Sequence, residues 1–140
     1  MPESTARTFS EPARQFLDAP RFASVAVLNE DGSPLQAVIW YLRDGDAIVF
    51  NSRVGRLWPT NLARDPRVSV IVADGYSYVE MRGRVEIDGD PVRGLRVISE
   101  LAHRYHKNAA AAARQIEAFA REQRVTFTLR PERIFERLGD

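Results

Sequence analysis

Asp-Gly pairs at residues 31–32, 44–45 and 74–75 each stand between two runs of alternating or apolar residues. An Asp-Gly pair flanked in this way is the strongest short-range signal for a β-hairpin, because glycine supplies the positive φ that tight turns demand. Strands joined so closely run antiparallel. No regular alternation of strand and helix follows, which excludes a doubly wound parallel sheet. The strand signals are Phe22–Leu28, Leu35–Leu42 and Ala47–Ser52, expected to form a three-stranded meander, then Val68–Ala73 and Ser77–Ile87. Val68–Ala73 is apolar almost throughout, as a strand buried on both faces would be. Ser77–Ile87 is long enough to bend around a barrel, with Gly83 as a bulge or bend in its middle. Val125–Leu129 adds a sixth strand, which Ile134–Arg137 extends past Pro131.

Helices are marked by their caps. Ser10 with Pro12 predicts a short helix over Glu11–Asp18, with Phe16 and Leu17 inward. Asp90-Pro91 opens a helix to Arg104, and the alanine run at Ala109–Ala113 opens another to Arg121. The expected architecture is mainly β with peripheral helices: a six-stranded antiparallel split barrel, one domain over residues 1–140.

Composition narrows the chemistry. The chain has no cysteine, so disulfides, thiolate nucleophiles and zinc–thiolate sites are excluded. A net charge of +1 argues against a general nucleic-acid binder. Of the 20 basic residues only Lys107 is lysine; an arginine bias of this kind follows codon usage in a GC-rich genome and does not make every arginine a ligand. No apolar run approaches the ~20 residues of a membrane span. The polar Met1–Thr8 stretch lacks the apolar core of a signal peptide, so a cytoplasmic location is expected. His103 and His106, with Glu100, have helical spacing but no second pair to complete a metal site, and no metal is expected. The acids Glu80, Glu86 and Asp88 around Arg82-Gly83-Arg84 favour a solvated strand edge over a nucleic-acid patch.

The segment Asn51–Arg67, N-S-R-V-G-R-L-W-P-T-N-L-A-R-D-P-R, carries the functional signal. A strand, a turn at Gly55 and a helix starting near Arg56 place free backbone N–H groups and the positive end of a helix dipole together, with Arg53 and Arg56 beside them. That arrangement suits an anion such as phosphate. On the residues alone, a solvated turn is the alternative for both arginines, and helix packing is the alternative for Trp58.

Trp40-Tyr41, Gly55-Arg56 and the string Asn61-Leu62-Ala63-Arg64-Asp65-Pro66-Arg67-Val68, followed by Tyr76–Arg84, resemble the flavin-binding split-barrel group. That group includes the pyridoxamine-phosphate-oxidase-like proteins and the flavin/deazaflavin oxidoreductases, and the likeness is closest to the branch that uses the deazaflavin coenzyme F420. It runs from about Phe22 to Val85. The resemblance implies a homodimer with cofactor sites at the subunit interface and a small-molecule substrate. It puts Arg56, with Asn51, Ser52 and Arg53, where the family grips the phosphate-bearing tail. It puts Trp40 beside the ring system, and Tyr76 and Tyr78 of the partner subunit near the ring's open face. Many members carry a lysine two residues after the arginine, where this chain has Trp58; that residue is expected to line the tail pocket. The implied activity is hydride transfer from reduced F420 to an unsaturated substrate. The alternatives are an FMN-binding oxidase-like protein and a non-catalytic flavin or deazaflavin carrier. No membrane or nucleic-acid partner is implied.

Overall fold

The computed structural model describes residues 6–139, so most of the Met1–Thr8 stretch lies outside the described residues. The elements in order are α1 (Glu11–Asp18), β1 (Ala23–Leu28), β2 (Pro34–Ile39), β3 (Leu42–Asp44), β4 (Ala47–Arg53), α2 (Leu57–Arg64), β5 (Arg67–Asp74), β6 (Ser77–Asp88), α3 (Pro91–Tyr105), α4 (Ala109–Phe119), β7 (Arg124–Leu129) and β8 (Arg133–Arg137). Among the described residues no helix is long and apolar enough to cross a membrane.

The strands follow the order β2-β1-β5-β6-β7-β4-β3, with β8 added beside β6, and every pair is antiparallel. The twelve-residue β6 makes the barrel. Its first half pairs with β5 on one side and β8 on the other, and its second half, Val85–Asp88, pairs with β7. Gly83 stands at the change of partner. A Cβ there would lie 3.2 Å from Leu129 Cδ1 and 3.3 Å from the Glu132 backbone nitrogen, so a side chain at the bend would have to displace its neighbours by a few tenths of an ångström. The two half-sheets enclose a core in which Val25, Val70, Met81, Phe50, Phe127 and Leu129 are fully buried. This is the split barrel expected from the hairpin pattern.

Three local expectations are corrected. The second strand is not continuous over Leu35–Leu42. It breaks at Trp40-Tyr41, so β2 pairs with β1 while β3 pairs with β4, and the first three strand signals do not form one meander. The break lets the rings part: Tyr41 enters the barrel core, and Trp40 joins a separate cluster with Val49, Val97 and Leu101 under α3. Secondly, β5 alternates between buried and more exposed positions; the strand buried almost throughout is β4, whose outer side α3 covers. Thirdly, Ile134–Arg137 does not extend β7. It belongs to β8, which turns back to pair with β6, raising the strand number to eight.

The helices close the ends and one side. Ser10 Oγ accepts from Ala13 N at the start of α1, as its sequence predicts. Arg104 of α3 donates to the carbonyls of Leu17, Asp18 and Ala19 at the end of α1, where carbonyls lack partners within the helix.

Candidate cofactor site

Between β4, the start of α2 and helix α4 lies a cavity of about 220 Å³. Its wall takes Val38, Ile39 and Trp40 from β2 and its end, Asn51 and Ser52 from β4, Arg56 and Trp58 from α2, Gln115 and Phe119 from α4, and Arg124 from β7. Five of the eight residues singled out from the sequence therefore meet in one cavity: Trp40, Asn51, Ser52, Arg56 and Trp58.

Each is placed by a local cause. Gly55, at φ +104°, turns the chain from β4 into α2 in a conformation that side chains disfavour. Arg56 is the N-cap residue of α2, whose start has no side-chain cap and no acid in its first turn. Its exposed side chain makes no ion pair among the described residues. Trp58 is 7% exposed and packs on Phe50 and Phe127, with ring centroids 5.9 and 5.5 Å away. It is thus both a core residue and part of the wall. Trp40 stacks on Tyr105 at 5.2 Å, nearly parallel, and meets His106 edge-on at 5.5 Å.

The other three lie apart from this wall. Arg53 points to solvent, with an ion pair of 3.8 Å to Glu122. Tyr76 sits at the β5–β6 turn and is 88% exposed. Tyr78 stands opposite Ala73 on the outer face of the barrel. A larger cavity of about 430 Å³ opens elsewhere, beside Arg67, Arg82, Arg84 and Arg133, and none of the eight residues borders it.

Arg124 is the charged residue of the wall that sequence reasoning missed. Only 8% of it is exposed. Its Nε donates to Asn51 Oδ1 at 3.1 Å, its Nη1 donates to Glu122 at 2.8 Å, and its guanidinium lies 4.5 Å from the centre of the Phe119 ring. Asn51 in turn donates through Nδ2 to the Gly94 carbonyl at 2.9 Å, which fixes which end of its amide faces the arginine. Burial pulls the Arg124 pKa below its usual range; Glu122 opposes this, and the positive charges of Arg56 and Arg53 add to it. No local motif marks Arg124. It becomes visible only once β7 is known to pair with β4, which sets it opposite Arg53.

The wall combines guanidinium groups, amides and a hydroxyl with the aromatic surfaces of Trp40, Trp58 and Phe119. Such a set can hold a flat ring with an anionic tail.

No curated protein sequence matches the chain. Among solved structures it is similar to a protein described as an F420 reductase, at 27% identity and TM-score 0.72, over 92% of this chain and 100% of that one. A conserved hypothetical protein from Mycobacterium tuberculosis matches at 23% identity and TM-score 0.78, over 99% and 98% of the two chains. A heme binding protein from Mycobacterium smegmatis shares the fold at 24% identity and TM-score 0.62, over 89% of this chain and 51% of that one. The family model for pyridoxamine 5'-phosphate oxidase matches residues 9–137, and the chain belongs to that family of flavin-type split barrels.

Proposed function

We propose that this protein is an oxidoreductase that binds reduced coenzyme F420 and reduces a small unsaturated substrate. The observation that carries the reading is the convergence of Trp40, Asn51, Ser52, Arg56 and Trp58 on one cavity. The similarity to an F420 reductase over nearly the whole chain supports it. The residues present fit a flavin-type group: aromatic faces for a ring, and Arg56, Asn51 and Ser52 for a phosphate-bearing tail. The bound cofactor would supply the hydride chemistry. The protein's part is to hold the tail, orient the ring against Trp40 and keep water from the reacting face.

The proposal includes a homodimer. A cavity of about 220 Å³ falls below the roughly 300–1,000 Å³ of typical ligand sites, which supports completion of the site by a second subunit. The outer faces of β2, β1 and β5 offer the contact. Val38, Ser24 and Ile71 form one row across these strands, and Gln36, Ala26 and Ser69 form the next. Small side chains there let another surface approach closely, and Val38 is 72% exposed. Tyr76 and Tyr78 do not border their own cavity, so any ring they approach belongs to the partner subunit.

Titration decides the matter. Purified protein should quench the fluorescence of F420 as the complex forms; no binding at high protein concentration would sink the proposal. A yellow preparation that retains FMN would favour the oxidase-like alternative. Binding without turnover of a broad panel of acceptors would favour a carrier.

A further inference from the structure

The two histidines at helical spacing part company at the end of α3. His103 is exposed, while the half-buried His106 ends the helix, its backbone N–H donating to the Ala102 carbonyl. The His106 ring meets Trp40 edge-on at 5.5 Å, and its Nε2 meets Oε1 of Gln115 on α4. The link between the two helices is short. Asn108 already caps α4, accepting from Ala110 N and Ala111 N. About two turns of α4 separate that cap from Gln115, whose side chain touches His106 and also lines the cavity. His106 does not border the cavity itself. It touches two residues that do, Trp40 and Gln115.

We infer that His106 is a positioning residue: it holds the Gln115 amide by its oxygen and so presents the amide N–H groups to a carbonyl oxygen on the edge of the ring-bearing ligand. The inference rests on the proposed function, which supplies the ring. It adds a donor from a helix that carries none of the residues assigned to the tail. A free amide both donates and accepts. With Oε1 turned to His106, Gln115 has only its N–H groups to offer, and these have no hydrogen bond to another described residue. Flavin and deazaflavin rings each carry two carbonyl oxygens with an N–H between them, and a donor-only group reads the oxygens. A glutamine side chain is rich in rotamers, so an amide already held by His106 loses less freedom when the ligand arrives.

Fluorescence titration with F420, and separately with FMN, reads the affinity. Gln115→Met keeps the length of the side chain and removes the donors. It should weaken binding of whichever probe the wild-type protein takes by about five-fold, the worth of one hydrogen bond. His106→Phe keeps an aromatic edge against Trp40 but has no N–H, and should weaken binding about as much. The double variant should bind about as weakly as either single one, because both remove the same contact. His106→Gln returns an N–H near the position of Nε2 and should recover most of the loss. Additive losses, wild-type affinity in either single variant, or no recovery with His106→Gln overturns the inference and leaves the oxidoreductase reading. A second test needs no variant: nitrogen NMR of the wild-type protein should show the proton on His106 Nε2. A bare Nε2 would accept from the amide instead, turn its oxygen to the cavity and overturn the inference. A wild-type protein that binds neither probe overturns both.

Discussion

Asn51 Oδ1 accepts the Nε–H of Arg124 at 3.1 Å, although the two residues lie 73 positions apart in the chain. Asn51 is buried, and its other amide end donates to the Gly94 carbonyl. Asn51→Ala would leave a guanidinium N–H without its partner and take one of two donors from the Gly94 carbonyl. A loss of stability of about 1–3 kcal/mol is expected, read as a lower midpoint in chemical denaturation. A denaturation midpoint equal to the wild-type value would show that water replaces the amide at no cost.

Gly83 stands where β6 changes partner with little room beside it, and Gly83→Val tests that closeness. The Cβ alone would crowd Leu129 and the backbone of Glu132. The two γ-methyl groups would press further into a wall partly made of backbone, which yields less than a side-chain end. Overpacking of this kind costs about 1–3 kcal/mol. Thermal unfolding should show the loss, while a control at Gly89, where a Cβ meets nothing within 4 Å, should leave the midpoint close to wild type.

How much of this the sequence announces depends on how local the cause is. Helix α1 begins and ends where Ser10 and Pro12 predict, because a cap acts within three residues. The hairpins at Asp31-Gly32 and Asp74-Gly75 are legible for the same reason. The break at Trp40-Tyr41 is not, since it depends on Tyr105, whose ring stacks on Trp40 and whose hydroxyl accepts from Tyr41 N. Likewise β8 reads as a continuation of β7 until β6 is seen to have a free edge for it. The site divides along the same line. Asn51, Ser52, Arg56 and Trp58 lie within eight residues of one another and carry a recognisable pattern. Arg124, Gln115 and Phe119 reach the cavity only through the pairing of β7 with β4 and the packing of α3 and α4.

Ile71→Glu bears on the proposed dimer. Ile71 points outward from β5, between Ser24 on β1 and Glu80 on β6. A second carboxylate beside Glu80 would disfavour any apolar partner surface while leaving the barrel interior untouched. Sedimentation should show the wild-type protein at twice the chain mass and the variant at the chain mass. A wild-type protein that sediments as a monomer at micromolar concentration would remove the dimer, and with it the role proposed for Tyr76 and Tyr78.

Tyr41 gives the fold a defined response to alkaline pH. Its hydroxyl is buried and donates to the Leu17 carbonyl at 2.8 Å. Burial, reinforced by neighbouring Tyr105 and opposed by Arg104, pushes its pKa from 10 up to about 12. In the unfolded chain the phenol ionises near its ordinary value of about 10. Below pH 10 the group is neutral in both states and its contribution to stability is complete. Between pH 10 and about 12 the unfolded state loses the proton and the folded state keeps it, so stability falls as pH rises. Above that window both states are ionised and the contribution is gone. Tyr41→Phe removes this titration. It should lower stability at neutral pH through the lost hydrogen bond, by about 1 kcal/mol, yet lose less additional stability than wild type between pH 10 and about 12. Denaturation midpoints across that range, with tyrosinate absorbance followed in parallel, give the comparison. Equal slopes for the two proteins would show that Tyr41 ionises in the folded state as readily as in the unfolded one.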